Sequence, residues 1–201
     1  KSDSPSYLGI AENWYVTEGD PRFHIVFFPF YPICIRALNF LTGNSCVSAM
    51  LVSSLCAIAA AILMYELAAL DYERETALRA VKFLFLTPAA FFFAAPMTES
   101  LFLLCSLACV YLVRKKHYLW GCLFGALAAF TRSVGVLLLA FVFVEWLYGL
   151  LRARRMETLP TEKNTLIRQG LCMLLVPLGL AAYVAINYAV TGDPLKFMQY
   201  Q

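Results

Sequence analysis

Charged side chains are scarce in this 201-residue chain: they make up 14% of it, against 61% hydrophobic residues, and the mean hydropathy is +0.70. A soluble domain carries about 25% charge to cover its surface, so a water-soluble core is excluded. The few charges stand in short clusters between apolar runs long enough to cross a bilayer, which makes lipid the solvent of this fold. An excess of one sign is also missing. The net charge is +3, and no basic stretch carries interleaved aromatics, which argues against a nucleic-acid partner. Histidine is almost absent; His24 and His117 lie far apart, so no metal pair is expected. The seven cysteines form no CxxC pair and are odd in number, which points to buried inert thiols rather than a disulfide framework or a zinc site. There is no Asn-x-Ser/Thr acceptor site. That absence favours a bacterial plasma membrane over an endoplasmic reticulum membrane, although the topology fits both. No Met or signal peptide precedes Lys1, and the chain stops at Gln201 after a polar stretch, so it reads as an internal fragment.

What is abundant is apolar sequence, and its punctuation predicts an all-α, polytopic transmembrane helical bundle. The stretch from Phe30 to Leu41 would rise only ~18 Å as a helix, too little for a crossing, and suits an interfacial or re-entrant helix. Residues 1–44 are therefore expected to form an external loop with interfacial helices. Ser45 to Leu70 carries one charge, Glu66, and is the first full span. The thirty-one-residue run from Phe83 to Val113 overshoots a ~30 Å hydrocarbon core and reads as a hairpin turning at Ala95-Pro96. Tyr118 to Leu151 reads likewise, with its turn at Thr131-Arg132-Ser133. The candidate transmembrane helices are 45–70, 77–95, 97–113, 118–132, 133–151 and 166–190, and 191–201 would begin a further external loop. The loops 71–82, 114–117 and 152–168 hold eleven of the sixteen basic residues, so they are expected on the cytoplasmic side. Asp3, Phe27-Phe28-Pro29, Glu99 and Arg132 then share the opposite face, where costly ionisable groups point to a site.

Each of these residues has a structural reading beside a functional one. Asp3 precedes a short amphipathic helix whose Tyr7, Ile10, Ala11 and Trp14 recur at helical spacing. It could cap that helix, with Pro5 in the first turn, or serve as a general base at the lipid–water boundary. Phe28, Pro29, Phe30 and Tyr31 could anchor the chain at the interface or wall a lipid-donor groove. Glu99 is the one charge in the run from Phe83 to Val113, and Arg132 is the matching cation on the same face. The two could form a structural pair, or Arg132 could hold a phosphate, for which a guanidinium fork is suited.

In order along the chain, Asp3-Ser4-Pro5-Ser6-Tyr7-Leu8-Gly9-Ile10-Ala11, Phe27-Phe28-Pro29-Phe30-Tyr31-Pro32, Pro96-Met97-Thr98-Glu99-Ser100-Leu101-Phe102, Thr131-Arg132-Ser133-Val134-Gly135 and Gly192-Asp193-Pro194-Leu195-Lys196-Phe197 resemble the family of the second mannosyltransferase of GPI-anchor synthesis. That family has bacterial relatives and belongs to the GT-C class of polyprenyl-phosphate-sugar-dependent transferases. The chain departs from the family pattern at Ser2, where Trp is usual, and at Met97, where Tyr is common.

The resemblance implies a membrane glycosyltransferase that moves a hexose, mannose in the family, from a polyprenyl- or dolichyl-phosphate donor to a lipid-linked or glycan acceptor with inversion. It implies Asp3 as catalytic base. It also implies donor or acceptor binding by Tyr7, Phe28, Pro29, Tyr31, Glu99 and Arg132, with Gln201 in a further glutamine-bearing segment. No cofactor is assigned beyond the lipid-phosphate sugar that serves as donor substrate, and a divalent ion is left open. Two other functions compete. A transporter or lipid flippase would place its charges at the bilayer midplane within repeated halves, whereas here they gather at one face and no repeat is present. A non-catalytic assembly subunit would tolerate loss of Asp3.

Overall fold

Proline, glycine and asparagine set the element boundaries in the computed structural model, which describes residues 3–156 and 159–200, and side chains for all of these except 159–162. Among the described residues the chain is 82% helical and has no strands. Ten α-helices follow in order: α1 Ser4–Asn13, α2 Phe30–Thr42, α3 Ser45–Ala68, α4 Arg74–Leu86, α5 Glu99–Arg114, α6 Tyr118–Thr131, α7 Leu138–Arg155, α8 Leu159–Cys172, α9 Leu175–Thr191 and α10 Lys196–Gln199. Tighter 3₁₀ segments cover Asp20–Val26, Pro88–Phe93 and Ser133–Leu137.

The junction of α2 and α3 shows how local chemistry draws these limits. Gly43 ends α2 in the left-handed region, φ 66°, and Asn44 caps α3 by accepting from the backbone N–H groups of Cys46 at 3.0 Å and Val47 at 3.1 Å. Both are the residue types those positions favour. Among the described residues three helical runs are long and apolar enough to cross a membrane: Ser45–Ala68, Ser133–Arg155 and Lys163–Thr191. Asp20–Val26 and Phe30–Thr42 form a pair bent by 112°, and Tyr118–Thr131 is a shorter apolar helix.

One expected span is interrupted, and another carries a turn within it. The helix expected over 77–95 ends at Leu86, because Thr87 stands before Pro88 and takes the extended conformation, ψ 146°, that a residue before proline prefers. The chain then tightens into the 3₁₀ segment Pro88–Phe93. The run expected over 166–190 is divided between α8 and α9. Pro177 has no N–H for the carbonyl of Met173, four residues earlier, and that carbonyl instead accepts from Val176 at 3.1 Å.

The helices pack through small residues. Helix α6 lies between α5 and α9, and its Gly121, Gly125, Ala128 and Ala129 are buried. Close backbone approach of this kind is what small residues permit where lipid supplies no hydrophobic drive. The tightest crossing is at Gly179 of α9, where an added Cβ would fall 1.9 Å from the Ala126 carbonyl oxygen of α6. Gly135 does the same for the segment after α6: a Cβ there would lie 2.4 Å from the Ala128 backbone. The turn carrying Arg132 is thereby pressed onto the end of α6.

Candidate functional site

Four segments remote in sequence meet at one end of the bundle: the start of α1, the extended Phe27-Phe28 link, the start of α5 and the end of α6. They enclose an open cleft of about 150 Å³, lined among others by Asp3, Tyr7, Phe28, Thr98, Glu99 and Arg132. Helices α5 and α6 run antiparallel from this end to the other, where Arg114, Lys115 and Lys116 lie.

Asp3 stands at the N-cap position of α1. Its backbone carbonyl accepts from Ser6 at 3.0 Å, yet its side chain makes no capping bond and the residue is exposed. The helix is started by Pro5 in its first turn, so the carboxylate is not held by a capping role. One turn on, Tyr7 is buried, edge-on to Phe27 at 5.1 Å and to Tyr31 at 5.5 Å between ring centroids. Burial pushes its phenol above the usual range, opposed by a hydrogen bond with Thr98 and the Arg132 charge, and reinforced by Asp3 and Glu99. Tyr7 is therefore a neutral hydroxyl at the cleft.

Glu99 opens α5, and its placement depends on the turn before it. The Ser100 hydroxyl donates back to the Phe93 carbonyl at 2.6 Å, and Met97 N–H bonds the Ala95 carbonyl at 2.7 Å; together these fold Pro96-Met97-Thr98 over the cleft. Arg132 Nη1 donates to Glu99 Oε1 at 2.7 Å, and the Arg132 guanidinium also lies 5.9 Å from the Phe102 ring centroid. The second carboxylate oxygen, Oε2, is buried without a partner. A different geometry holds Asp71 and Arg114 at the far end of α5, where both carboxylate oxygens are engaged by the guanidinium. Side-chain exposure is 43% for Arg132 and 31% for Glu99, so the Arg132 fork has donors left over at the cleft.

Phe28 lines the cleft and is fixed from behind by Tyr183 of α9, whose ring stacks on it at 3.9 Å and whose hydroxyl donates to the Ile25 carbonyl at 2.6 Å. Pro29 and Tyr31 do not line the cleft. Pro29 is fully buried at the start of α2. The buried Tyr31 hydroxyl donates to the Ala49 carbonyl at 3.0 Å and lies 2.8 Å from the Ser53 hydroxyl, which reaches the Met97 carbonyl at 3.4 Å. These two residues support the cleft floor instead of facing it. Gln201 lies outside the described residues. Thr98 and Thr131, from the stretches around Glu99 and Arg132, also line the cleft, and Tyr183, which the sequence does not point to, takes part in building it. For Tyr183 the one available signal was a tyrosine inside an apolar run. Among the described residues no three of His, Cys, Asp and Glu form a group that could hold a metal ion, and all seven cysteines are free.

Comparison with known proteins decides the class. The family model described as Mannosyltransferase (PIG-V) matches residues 3–189. The chain belongs to that family. No curated protein and no solved structure matches it. Membership makes the chain a glycosyltransferase of the mannosyl-transfer type, carried on an integral membrane bundle, with a sugar donor and an acceptor as its substrates. The match begins at Asp3, the residue that opens the cleft, and spans the segments that build it.

Proposed function

We propose that this mannosyltransferase moves mannose from a polyprenyl- or dolichyl-phosphate donor to a hydroxyl of a lipid-linked or glycan acceptor, with inversion, in the cleft between α1, α5 and α6. The observation that carries the reading is the meeting of an uncapped carboxylate, Asp3, with a guanidinium that has donors to spare, Arg132, in one cleft.

In this reading the Asp3 carboxylate takes the proton of the acceptor hydroxyl as its oxygen attacks the anomeric carbon. The bond from that carbon to the phosphate oxygen breaks, and the lipid phosphate leaves with the electron pair. A β-linked donor gives an α-mannoside, with no covalent intermediate on the enzyme. Arg132 stabilises the charge gathering on the departing phosphate through a charge-assisted hydrogen bond. Glu99 holds Arg132 in place, and the aromatic wall of Phe27 and Phe28 suits the apolar part of the donor. The face bearing the cleft is taken as external and the basic loops as cytoplasmic, following the distribution of Lys and Arg; a bacterial plasma membrane is favoured.

The test is transfer by the full-length protein in membranes supplied with radiolabelled polyprenyl-phosphate mannose, in parallel with the glucose and galactose donors. Label entering a lipid or glycan acceptor from the mannose donor, and released by an α-mannosidase, supports the reading. Transfer from another hexose alone, or a β-linked product, contradicts it.

A further inference from the structure

A second cavity, of about 220 Å³, lies at the opposite end of α5 and α6 from the cleft, between the start of α6 and one face of α8. Its charged lining is wholly cationic, Lys116 and Arg168, with His117 between them in the lining. From α8 it is lined by Thr165, Arg168, Gln169 and Cys172, the i, i+3, i+4, i+7 positions of one helix face. Arg168 stands at the polar start of the helical run Lys163–Thr191, where it is exposed. No ion pair of Arg168 occurs among the described residues, so its guanidinium is open to an anion. Lys116 reaches Glu145 at 3.7 Å, and Glu145 does not line the cavity.

Two further features fix the chemistry of what fits. His117 occupies the N-cap of α6 without a side-chain capping bond, so the N–H groups of the first turn of α6, which lines the cavity, are open to an anion. Beside this cationic end, Leu119 and Trp120 are 57% and 58% exposed, and Ile167 and Leu171 on α8 are 50% and 61% exposed. A cationic end bordered by bare aliphatic and aromatic surface matches an amphiphile, not a soluble anion.

We infer that this cavity binds the phosphate headgroup of an anionic glycerophospholipid, such as phosphatidylglycerol, drawn from the surrounding membrane. Arg168, Lys116 and the first turn of α6 hold the phosphate, and the acyl chains lie against Leu119, Trp120 and Leu171. The site is separate from the cleft, and the inference does not rest on the mechanism proposed there. Basic pockets between membrane helices recognise lipid headgroups in this way.

The test uses the full-length protein in neutral detergent, with retention of phosphatidylglycerol and of phosphatidylcholine read by native mass spectrometry. The native chain is expected to prefer phosphatidylglycerol, and Arg168→Gln to retain it about fivefold less well. Arg152→Gln, at the same end of the bundle but outside the cavity, is expected to leave retention unchanged. Equal retention in the native chain and Arg168→Gln, or an equal loss in Arg152→Gln, overturns the inference. In the native chain a photoactivatable phosphatidylglycerol is expected to label segments 116–120 and 165–172, and labelling confined to other segments contradicts the assignment. A thermal shift with inorganic phosphate equal to that with the lipid would make the ligand a soluble anion and overturn the lipid assignment.

Discussion

Arg132 grips Glu99 with one prong: Nη1 donates to Oε1 at 2.7 Å while Oε2 remains buried and unpartnered. Asp71 and Arg114, in contrast, engage both carboxylate oxygens. The first arrangement leaves guanidinium donors for a ligand and the second uses them within the protein. The two ends of α5 thus carry ion pairs of different geometry.

Arg132→Lys keeps the charge and loses the fork. It is expected to lower kcat/KM for the lipid-phosphate donor about 10–100-fold, the worth of a charge-assisted hydrogen bond. Because the pair with Glu99 is part-exposed, thermal stability should fall by no more than about 1 kcal/mol. Steady-state kinetics and thermal unfolding of the same preparations separate the two effects.

Tyr31→Phe should act on stability. It removes the hydroxyl that bonds the Ala49 carbonyl and meets Ser53, leaving a buried acceptor without its donor, at about 1–3 kcal/mol. The unfolding midpoint in detergent should drop, with the donor KM close to native. A large rise in KM without loss of stability would show that Tyr31 touches the donor directly.

Gly179→Ala sets a Cβ against the Ala126 carbonyl, 1.9 Å away before relaxation, and the contact is with backbone, which cannot swing aside. α6 and α9 must separate, at about 1–3 kcal/mol or more. Gly43, whose added Cβ meets nothing within 4 Å but whose φ is 66°, should respond differently. Its replacement by Asn, tolerant of that conformation, is expected to change the unfolding midpoint little.

The Asp71–Arg114 pair makes a pH prediction. The Arg114 guanidinium, through its hydrogen bonds first, holds the Asp71 carboxyl below its ordinary value. A carboxyl depressed in the folded state adds stability above its unfolded pKa of about 3.9, and that stability is lost as pH falls through the folded value. The difference in unfolding midpoint between the native chain and Asp71→Asn should therefore be present at neutral pH and shrink on acidification below pH ~4. A difference that does not change with pH would contradict the assignment.

Much of this architecture was legible in the sequence, for identifiable reasons. Ser45–Ala68 is a long apolar run with one charge, Glu66, near its end, and lipid makes such a run a helix whatever its neighbours do. Glu99 and Arg132 could be matched because each is an isolated charge in apolar sequence, where an unpaired charge is costly. Of the four residues at helical spacing the structure buries Tyr7, Ile10 and Ala11, while Trp14 lies just past the helix as its C-cap, φ 65°, and is half-buried. What escaped the sequence depends on packing. Within 77–95 Pro88 ends the helix, since the residue before it, Thr87, takes the extended conformation that this position favours. Tyr31 sits in the same aromatic run as Phe28, but α2 starts between them at Phe30 and turns the tyrosine inward. Tyr183 comes to Phe28 from 155 positions away, a distance no local pattern spans.

The most direct measurement compares native full-length protein with Asp3→Asn for transfer of label from radiolabelled polyprenyl-phosphate mannose, at matched expression and detergent stability. The account predicts a loss of about 10²–10⁴-fold in the transfer rate, with donor binding retained because Arg132 is untouched. Equal transfer by the two proteins would contradict it and remove Asp3 as the base.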